Sequence, residues 1–201
     1  MNAKAVEGGA TMRHSLVDME RMRAARQRLA HVRQRIRRLS WLARQPQDLD
    51  ADVPLLSRSA FVRALARFQA IRLREEKASL LVLRLGSDDL ALRRAVAMHL
   101  LENTRNCDTL GCADARTFLV LLKGADEKGG RVAAMRLHDE IRRLAARLGH
   151  LLPVRVHCLP MANAPGAAEV MRAVDALKHA QGAADIAWAA GPRETSPSRH
   201  A

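Results

Sequence analysis

The sequence predicts an α/β (α+β) fold, a mixed central sheet flanked by helices and preceded by a long N-terminal helix. Three observations carry that prediction. Short apolar runs of strand length alternate with stretches of helical periodicity between residues 55 and 190, the signature of strands packed against helices. Hydrophobic residues make up 48% of the 201 positions but aromatics only 2%, so the core must be built from Leu, Val, Ala and Met. Near the N-terminus, Met22, Leu29, Ile36 and Ala43 recur every seven residues, with Ala25, Val32 and Leu39 between them, an a/d seam of about three heptads.

Taken in order, residues 1–14 are small and polar and are expected to be flexible. Residues 15–45 read as one Arg-rich amphipathic helix and a coiled-coil candidate. Nine Arg and no acid lie between Arg21 and Arg44, so one flank is strongly positive. Pro46 ends it, and residues 46–54, with Asp48, Asp50, Asp52 and Pro54, read as a linker. Ser57 or Ser59 can cap a helix over 60–74 whose stripe is Phe61, Leu65, Phe68 and Leu73. The run Leu80–Leu85 stops at Gly86 and predicts a buried strand. Residues 90–104 form a helix with Leu92, Val96 and Leu100 inward. Two short strands, 109–112 and 117–122, flank a turn. A helix over 131–148 carries Met135, Leu137, Ile141 and Leu144. Residues 154–159 alternate as a strand, 167–181 form the last helix, and 184–188 a final short strand. The tail 191–201, with Pro192 and Pro197, is expected to be disordered.

The net charge is +13, and 29 of the 34 basic residues are Arg. A planar guanidinium fork suits phosphates and guanine edges, so a polyanionic partner is one reading; a biased genome that raises Arg and Ala together is the bland one. Scarce aromatics argue against a single-strand nucleic-acid binder, which stacks bases on aromatic rings. Cys107, Cys112 and Cys158 are odd in number and form no C-x-x-C pair, which argues against a disulfide framework and against zinc. No apolar run approaches membrane-span length and no signal peptide opens the chain. The expectation is a cytoplasmic protein of bacterial type.

The motif that stands out is Arg105-Asn106-Cys107-Asp108, followed after five residues by Asp114-Ala115-Arg116-Thr117-Phe118. With its surroundings, it resembles the GGDEF domain of the diguanylate cyclase family. Leu55-Leu56-Ser57-Arg58-Ser59-Ala60-Phe61 is similar to the family opening hGLxNRxxF, with Ser57 in place of Asn. The strand Leu80–Leu85 resembles the first strand, and Leu119–Leu122 follows the turn as the family's strand does. Val154–Leu159 resembles the VTVSIGV strand, and Ala173–Ala180 the helix that carries RADxALYxAK. Two further Arg-x-x-Asp pairs, Arg136/Asp139 and Arg172/Asp175, fall within helices and read as solvated i,i+3 pairs.

The resemblance implies a degenerate domain. Arg84 or Gly86 stands where the family places a metal-binding Asp. The loop with Phe-Lys, Asn-Asp and Gly-His, which binds substrate guanine in the family, is missing between Gly86 and Asp108. Asp114, Ala115, Arg116, Thr117 and Phe118 replace Gly-Gly-Asp-Glu-Phe, whose glycines admit a triphosphate and whose acids hold Mg²⁺. No cyclase activity, no cofactor and no Mg²⁺ are therefore expected. What the resemblance leaves is the family's inhibitory site, Arg105 and Asp108, with Arg136 and then Arg131 as the added cation from the following helix. It implies cyclic di-GMP as the ligand. The guanidinium would donate to guanine O6 and N7, and the carboxylate would accept from N1–H and the amino group. The expected role is a cyclic di-GMP effector that regulates a partner complex of exopolysaccharide, biofilm or motility type. The partner would be a protein, or a second copy joined through residues 15–45; the alternative is a ligand-free interaction scaffold or oligomerisation module.

Other candidates carry less. His99, His138, His150, His157 and His179 show no ligand spacing, Ser57, Ser59 and Ser79 lack a nucleophile elbow, and Gly129-Gly130 lacks a P-loop Lys.

Overall fold

A computed structural model describes residues 19–30, 32–33, 36, 40, 44, 46–71, 77–151, 153–161, 166–179 and 186–188. The expectations for 1–14 and for the tail 191–201 lie outside the described residues. The chain divides into two units, Met1–Trp41 and Leu42–Ala201. In the first, residues 19–30 form helix α1, and 32, 33, 36 and 40 are helical as well. Met22, Leu29, Val32 and Ile36, all members of the heptad seam, are exposed.

Among the described residues, the second unit is a five-stranded sheet covered by four helices. Its elements are a 3-10 turn Pro46–Asp48, α2 (Arg58–Ile71), β1 (Ala78–Leu85), α3 (Leu90–Asn103), β2 (Thr109–Asp114), β3 (Thr117–Lys123), α4 (Glu127–Arg147), β4 (Val154–Pro160), α5 (Ala167–His179) and β5 (Ile186–Trp188). The strand order is β2-β3-β1-β4-β5. β1 is antiparallel to β3 and β4, while β5 joins β4 in parallel, so the sheet is mixed. β1 lies in the middle and is covered on both faces. That is why Ala78-Ser79-Leu80-Leu81-Val82-Leu83-Arg84-Leu85 reads as a continuous apolar run rather than an alternation.

Two glycines set how closely helices approach the sheet. A Cβ on Gly111 of β2 would stand 2.7 Å from Cδ2 of Phe61, the fully buried ring of α2. A Cβ on Gly130 of α4 would stand 2.5 Å from the Ser79 hydroxyl and 2.9 Å from the Cys158 sulfur. α2 therefore covers one face of the sheet and α4 the other. Helix α3 starts at Asp89, whose carboxylate accepts the Leu92 N–H at 2.8 Å; α4 starts at Asp126, which accepts from Gly129 at 2.8 Å. These are N-cap bonds that satisfy otherwise orphaned amides.

The acidic stretch 46–54, which its composition marks as a linker, is folded onto the second unit. Leu49 bridges to Leu56, and Val53, Leu55 and Leu56 are buried. Arg93 of α3, only 5% exposed, reaches Asp50 at 3.2 Å and also Asp52, and Asp48 pairs with Arg63 of α2. Burial works against the Arg93 charge, but the bond to Asp52 and the nearness of Asp50 outweigh it and push the guanidinium pKa up. Two of the acids that mark a solvated linker, Asp50 and Asp52, are thus counter-ions of one buried arginine, and the third, Asp48, is that of Arg63. Asp175 differs from its sequence reading in a similar way. It takes Arg58 of α2 through two bonds of 3.0 and 2.6 Å, tying α5 to α2.

Gly111→Ala forces a methyl into the Phe61 ring and is expected to cost about 1–3 kcal/mol, as overpacked cores do. A urea unfolding midpoint lowered without change in slope checks this; an unchanged midpoint refutes the close packing of α2 on β2.

Candidate functional site

The chain leaves α3 through Thr104, whose hydroxyl donates back to the Leu100 carbonyl at 2.7 Å. Arg105–Asp108 then makes a reciprocal turn. The Asp108 N–H donates to the Arg105 carbonyl at 3.1 Å, and the Arg105 N–H donates to Asp108 Oδ2 at 2.9 Å. Asp108 Oδ1 accepts the backbone N–H of Lys123, the last residue of β3, at 3.2 Å. One carboxylate therefore fastens the turn between α3 and β2 to the end of β3. Asp108 is 7% exposed, while Arg105 is exposed. The sequence reading has Asp108 accept from a guanine edge. Here both of its oxygens accept backbone amides, and they face inward. Among the described residues the Arg105 guanidinium has no hydrogen-bond or ion-pair partner.

A cleft of about 660 Å³ opens beside this turn, between the end of β3 and the start of α4. Arg105, Asp108, Lys123, Asp126, Lys128 and Arg136 are on its wall. Arg136 projects from α4 and donates to the Asn103 carbonyl at 3.1 Å, so it closes the α3 side. The structure thus gathers three of the four residues proposed from the sequence, Arg105, Asp108 and Arg136. Arg131 is not on the cleft wall. Five residues before Arg136, it lies about 140° around the helix and pairs with Glu127. The sequence reading missed the lysines. Lys77 and Lys128 also line the cleft, and Lys123 lies 5.6 Å over the Phe68 ring. A Lys that closes an otherwise apolar strand, and another in the first turn of a helix, are the signals that pointed there.

The turn Asp114–Phe118 lies at the opposite end of β3. Ala115 and Arg116 make a two-residue turn without any residue of positive φ, since the only positive-φ residues described are Gly124 and Gly149. The register shifts between Cys112 and Asp114, leaving Ala113 as an extra residue. The Asp114 carboxylate accepts the Arg116 N–H at 2.9 Å, and the Arg116 carbonyl accepts from Leu85 at 2.8 Å. A bulge and a side-chain bond supply the twist that glycines give other hairpins. Phe118 is fully buried in the core.

Arg116 reaches Asp88 at 3.2 Å, and that hydrogen bond holds the Asp88 carboxyl below its ordinary value. Thr117 is 1% exposed and stands across from Arg84. These residues do not fit the Mg²⁺ that the resemblance associates with this end of the sheet. A guanidinium is not a ligand for a hard cation, which takes carboxylate and carbonyl oxygens. Among the described residues, no group of three or more His, Cys, Asp and Glu could hold a metal ion.

No protein-family model and no curated protein matches the sequence. Solved structures do. The diguanylate cyclase SiaD of Pseudomonas aeruginosa, solved with its activator SiaC, aligns with a TM-score of 0.61 at 19% identity, over 93% of this chain and 82% of that one. The coiled coil and GGDEF domain of DgcB from Caulobacter crescentus, in complex with c-di-GMP, aligns with 0.58 at 19% identity, over 90% and 98%. The isolated GGDEF domain of DgcB, also with c-di-GMP, gives 0.54 at 18% identity, over 65% and 84%. The chain has the fold of the GGDEF domains of diguanylate cyclases. No described helix is long and apolar enough to cross a membrane.

Asp108→Asn keeps the shape but leaves one carbonyl oxygen to serve two amides. It is expected to cost about 1–3 kcal/mol of stability, read as a lowered thermal midpoint without any ligand. An unchanged midpoint refutes the fastening role.

Proposed function

We propose that this chain is a cyclic di-GMP receptor that lacks cyclase chemistry and regulates a partner complex of exopolysaccharide, biofilm or motility type. The cleft that brings Arg105 and Arg136 together carries the reading. Two guanidinium groups, from the α3–β2 turn and from α4, face one space large enough for a nucleotide. Arg105 is uncommitted among the described residues and is the fork for a guanine edge. Asp108 shapes the turn that presents Arg105, and Lys77, Lys123 and Lys128 supply positive charge toward phosphates. The neighbouring GGDEF domain of DgcB holds c-di-GMP, which makes that dinucleotide the first ligand to test.

Loss of catalysis is the second half of the proposal. Arg84 and Thr117 stand at the end of the sheet where phosphoryl transfer would need acids and metal, and Arg116 is paired with Asp88. The partner would be a protein, or a second copy held through residues 15–45, of which Met22, Leu29, Val32 and Ile36 are exposed, in the cytoplasm. Ligand would act by binding one assembly state more tightly than the other. The alternative, an interaction scaffold without ligand, draws on Asp108, whose oxygens are already engaged.

Calorimetric titration of the full chain with cyclic di-GMP decides between the two. The receptor requires saturable heat, and Arg105→Ala or Arg136→Ala should each weaken binding about tenfold or more, the worth of one charged hydrogen bond. Absence of heat at high protein concentration favours the scaffold. Cyclic di-GMP formed from GTP and Mg²⁺ by the purified chain would refute the loss of catalysis.

A further inference from the structure

The heptad seam of the N-terminal unit has a charge pattern that decides what can cover it. With Met22, Leu29 and Ile36 at a and Ala25, Val32 and Leu39 at d, Arg21, Arg28 and Arg35 fall at g, and Arg26 and Arg33 fall at e. Five of the nine arginines between Arg21 and Arg44 therefore flank the seam, on both of its sides, and that stretch holds no acid. Residues 19–30, 32, 33 and 36 are helical, so the heptad frame applies to them. Met22, Leu29, Val32 and Ile36 are each 50% to 58% exposed, and Arg26, Arg28 and Arg33 are exposed beside them. A row of large apolar side chains in water marks an interaction surface.

A second copy cannot cover that row without setting like charges together. In a parallel pair, g of one helix meets e of the next heptad on the other, which places Arg21 against Arg26 and Arg28 against Arg33. In an antiparallel pair g meets g and e meets e, and within residues 21–35 every such contact is again Arg with Arg. The first acids after the helix, Asp48, Asp50 and Asp52, are engaged by Arg63 and Arg93. A nucleic acid would answer the charge but leave the apolar row in water. A lipid surface fits the width poorly: two positions in seven make a seam for one helix, whereas a helix lying on lipid presents a broader apolar face.

We infer that residues 21–44 pair with an acidic amphipathic helix of a different protein, apolar at a and d and bearing Glu or Asp at e and g. Its apolar seam would cover Met22, Leu29, Val32 and Ile36. Its carboxylates would take the guanidinium forks on either side in charge-assisted pairs. Opposite charge at e and g selects such a partner, while the same arginines reject a second copy. The arginines thus keep the seam open for another chain. The inference rests on residues 15–45 being the partner-binding element of the proposed function, and makes no use of the cleft or its ligand.

The probe is a synthetic helix of about four heptads with Leu at a and d and Glu at e and g; its control carries Lys at e and g on the same seam. Mixed with the full chain, the Glu peptide should form a saturable complex and gain helix by circular dichroism, and the Lys peptide should do neither. Affinity should fall roughly tenfold or more between about 0.1 M and about 1 M salt, as the Debye length shrinks from about 10 Å to about 3 Å. Leu29→Ser combined with Ile36→Ser should abolish the complex, which a bare attraction of polycation to polyanion would survive. Arg26→Glu, Arg28→Glu, Arg33→Glu and Arg35→Glu together should reverse the choice and select the Lys peptide. Neither set should move the thermal midpoint or the cyclic di-GMP titration of the full chain, so a failure here is distinct from a failure of the receptor. Without peptide, sedimentation should give the same mass before and after the two Ser substitutions. No complex with the Glu peptide, a complex that survives them, or a dimer of the chain that they dissolve overturns the inference. Tighter binding to phosphatidylglycerol vesicles or to a DNA duplex than to the Glu peptide overturns it too, and assigns the helix to a membrane or to nucleic acid.

Discussion

The cleft exists because of one carboxylate. Asp108 accepts the amide of Arg105, three residues back, and the amide of Lys123, fifteen residues on. The first bond curls the turn; the second pins it to the end of β3. Without the second, the turn between α3 and β2 would be a free surface loop, and Arg105 would sample many positions relative to Arg136. With it, the guanidinium stems start from fixed places on two different elements. Charge-assisted bonds to backbone amides are stronger than neutral ones, and a carboxylate that is 7% exposed is little screened by solvent. The residue that the motif offers as half of a ligand grip is first a piece of architecture.

Much of the fold is legible in the sequence because hydrophobic period and strand length are local properties. Leu80–Leu85 reads as a buried strand from its composition, and the strand is central. Leu92, Val96 and Leu100 are on the buried side of α3 as their spacing demands. What escaped depends on partners far away in the chain. Asp50 and Asp52 look like linker acids until Arg93, some forty residues on, is brought beneath them. Asp175 looks like a solvated partner of Arg172 until α2 delivers Arg58. The site divides in the same way. Arg105 and Asp108 are visible as a motif, and Lys123 and Lys128 leave local signals at the end of a strand and the start of a helix, whereas the Arg84–Arg155 opposition follows only from strand register. No local pattern encodes register between strands that far apart.

The two ends of β3 carry opposite lessons about charge. At the Lys123 end, cations surround a cleft and an acid is used up in holding the backbone. At the Thr117 end, Arg84 and Arg155 stand directly opposite each other across the ladder. A single sheet strand thus separates two positively charged patches on a chain with net charge +13. Like charges gathered in this way repel, and solvent and salt screen them in proportion to their exposure.

The hairpin between β2 and β3 turns with ordinary backbone angles. Ala115 and Arg116 need no left-handed conformation, and Ala113 absorbs the twist as a bulge. Any side chain can therefore occupy the tip without steric penalty, and selection on folding does not call for glycine there. The residues at the tip are therefore free to answer to whatever the hairpin meets in solution, because the way the chain turns places no demand on them.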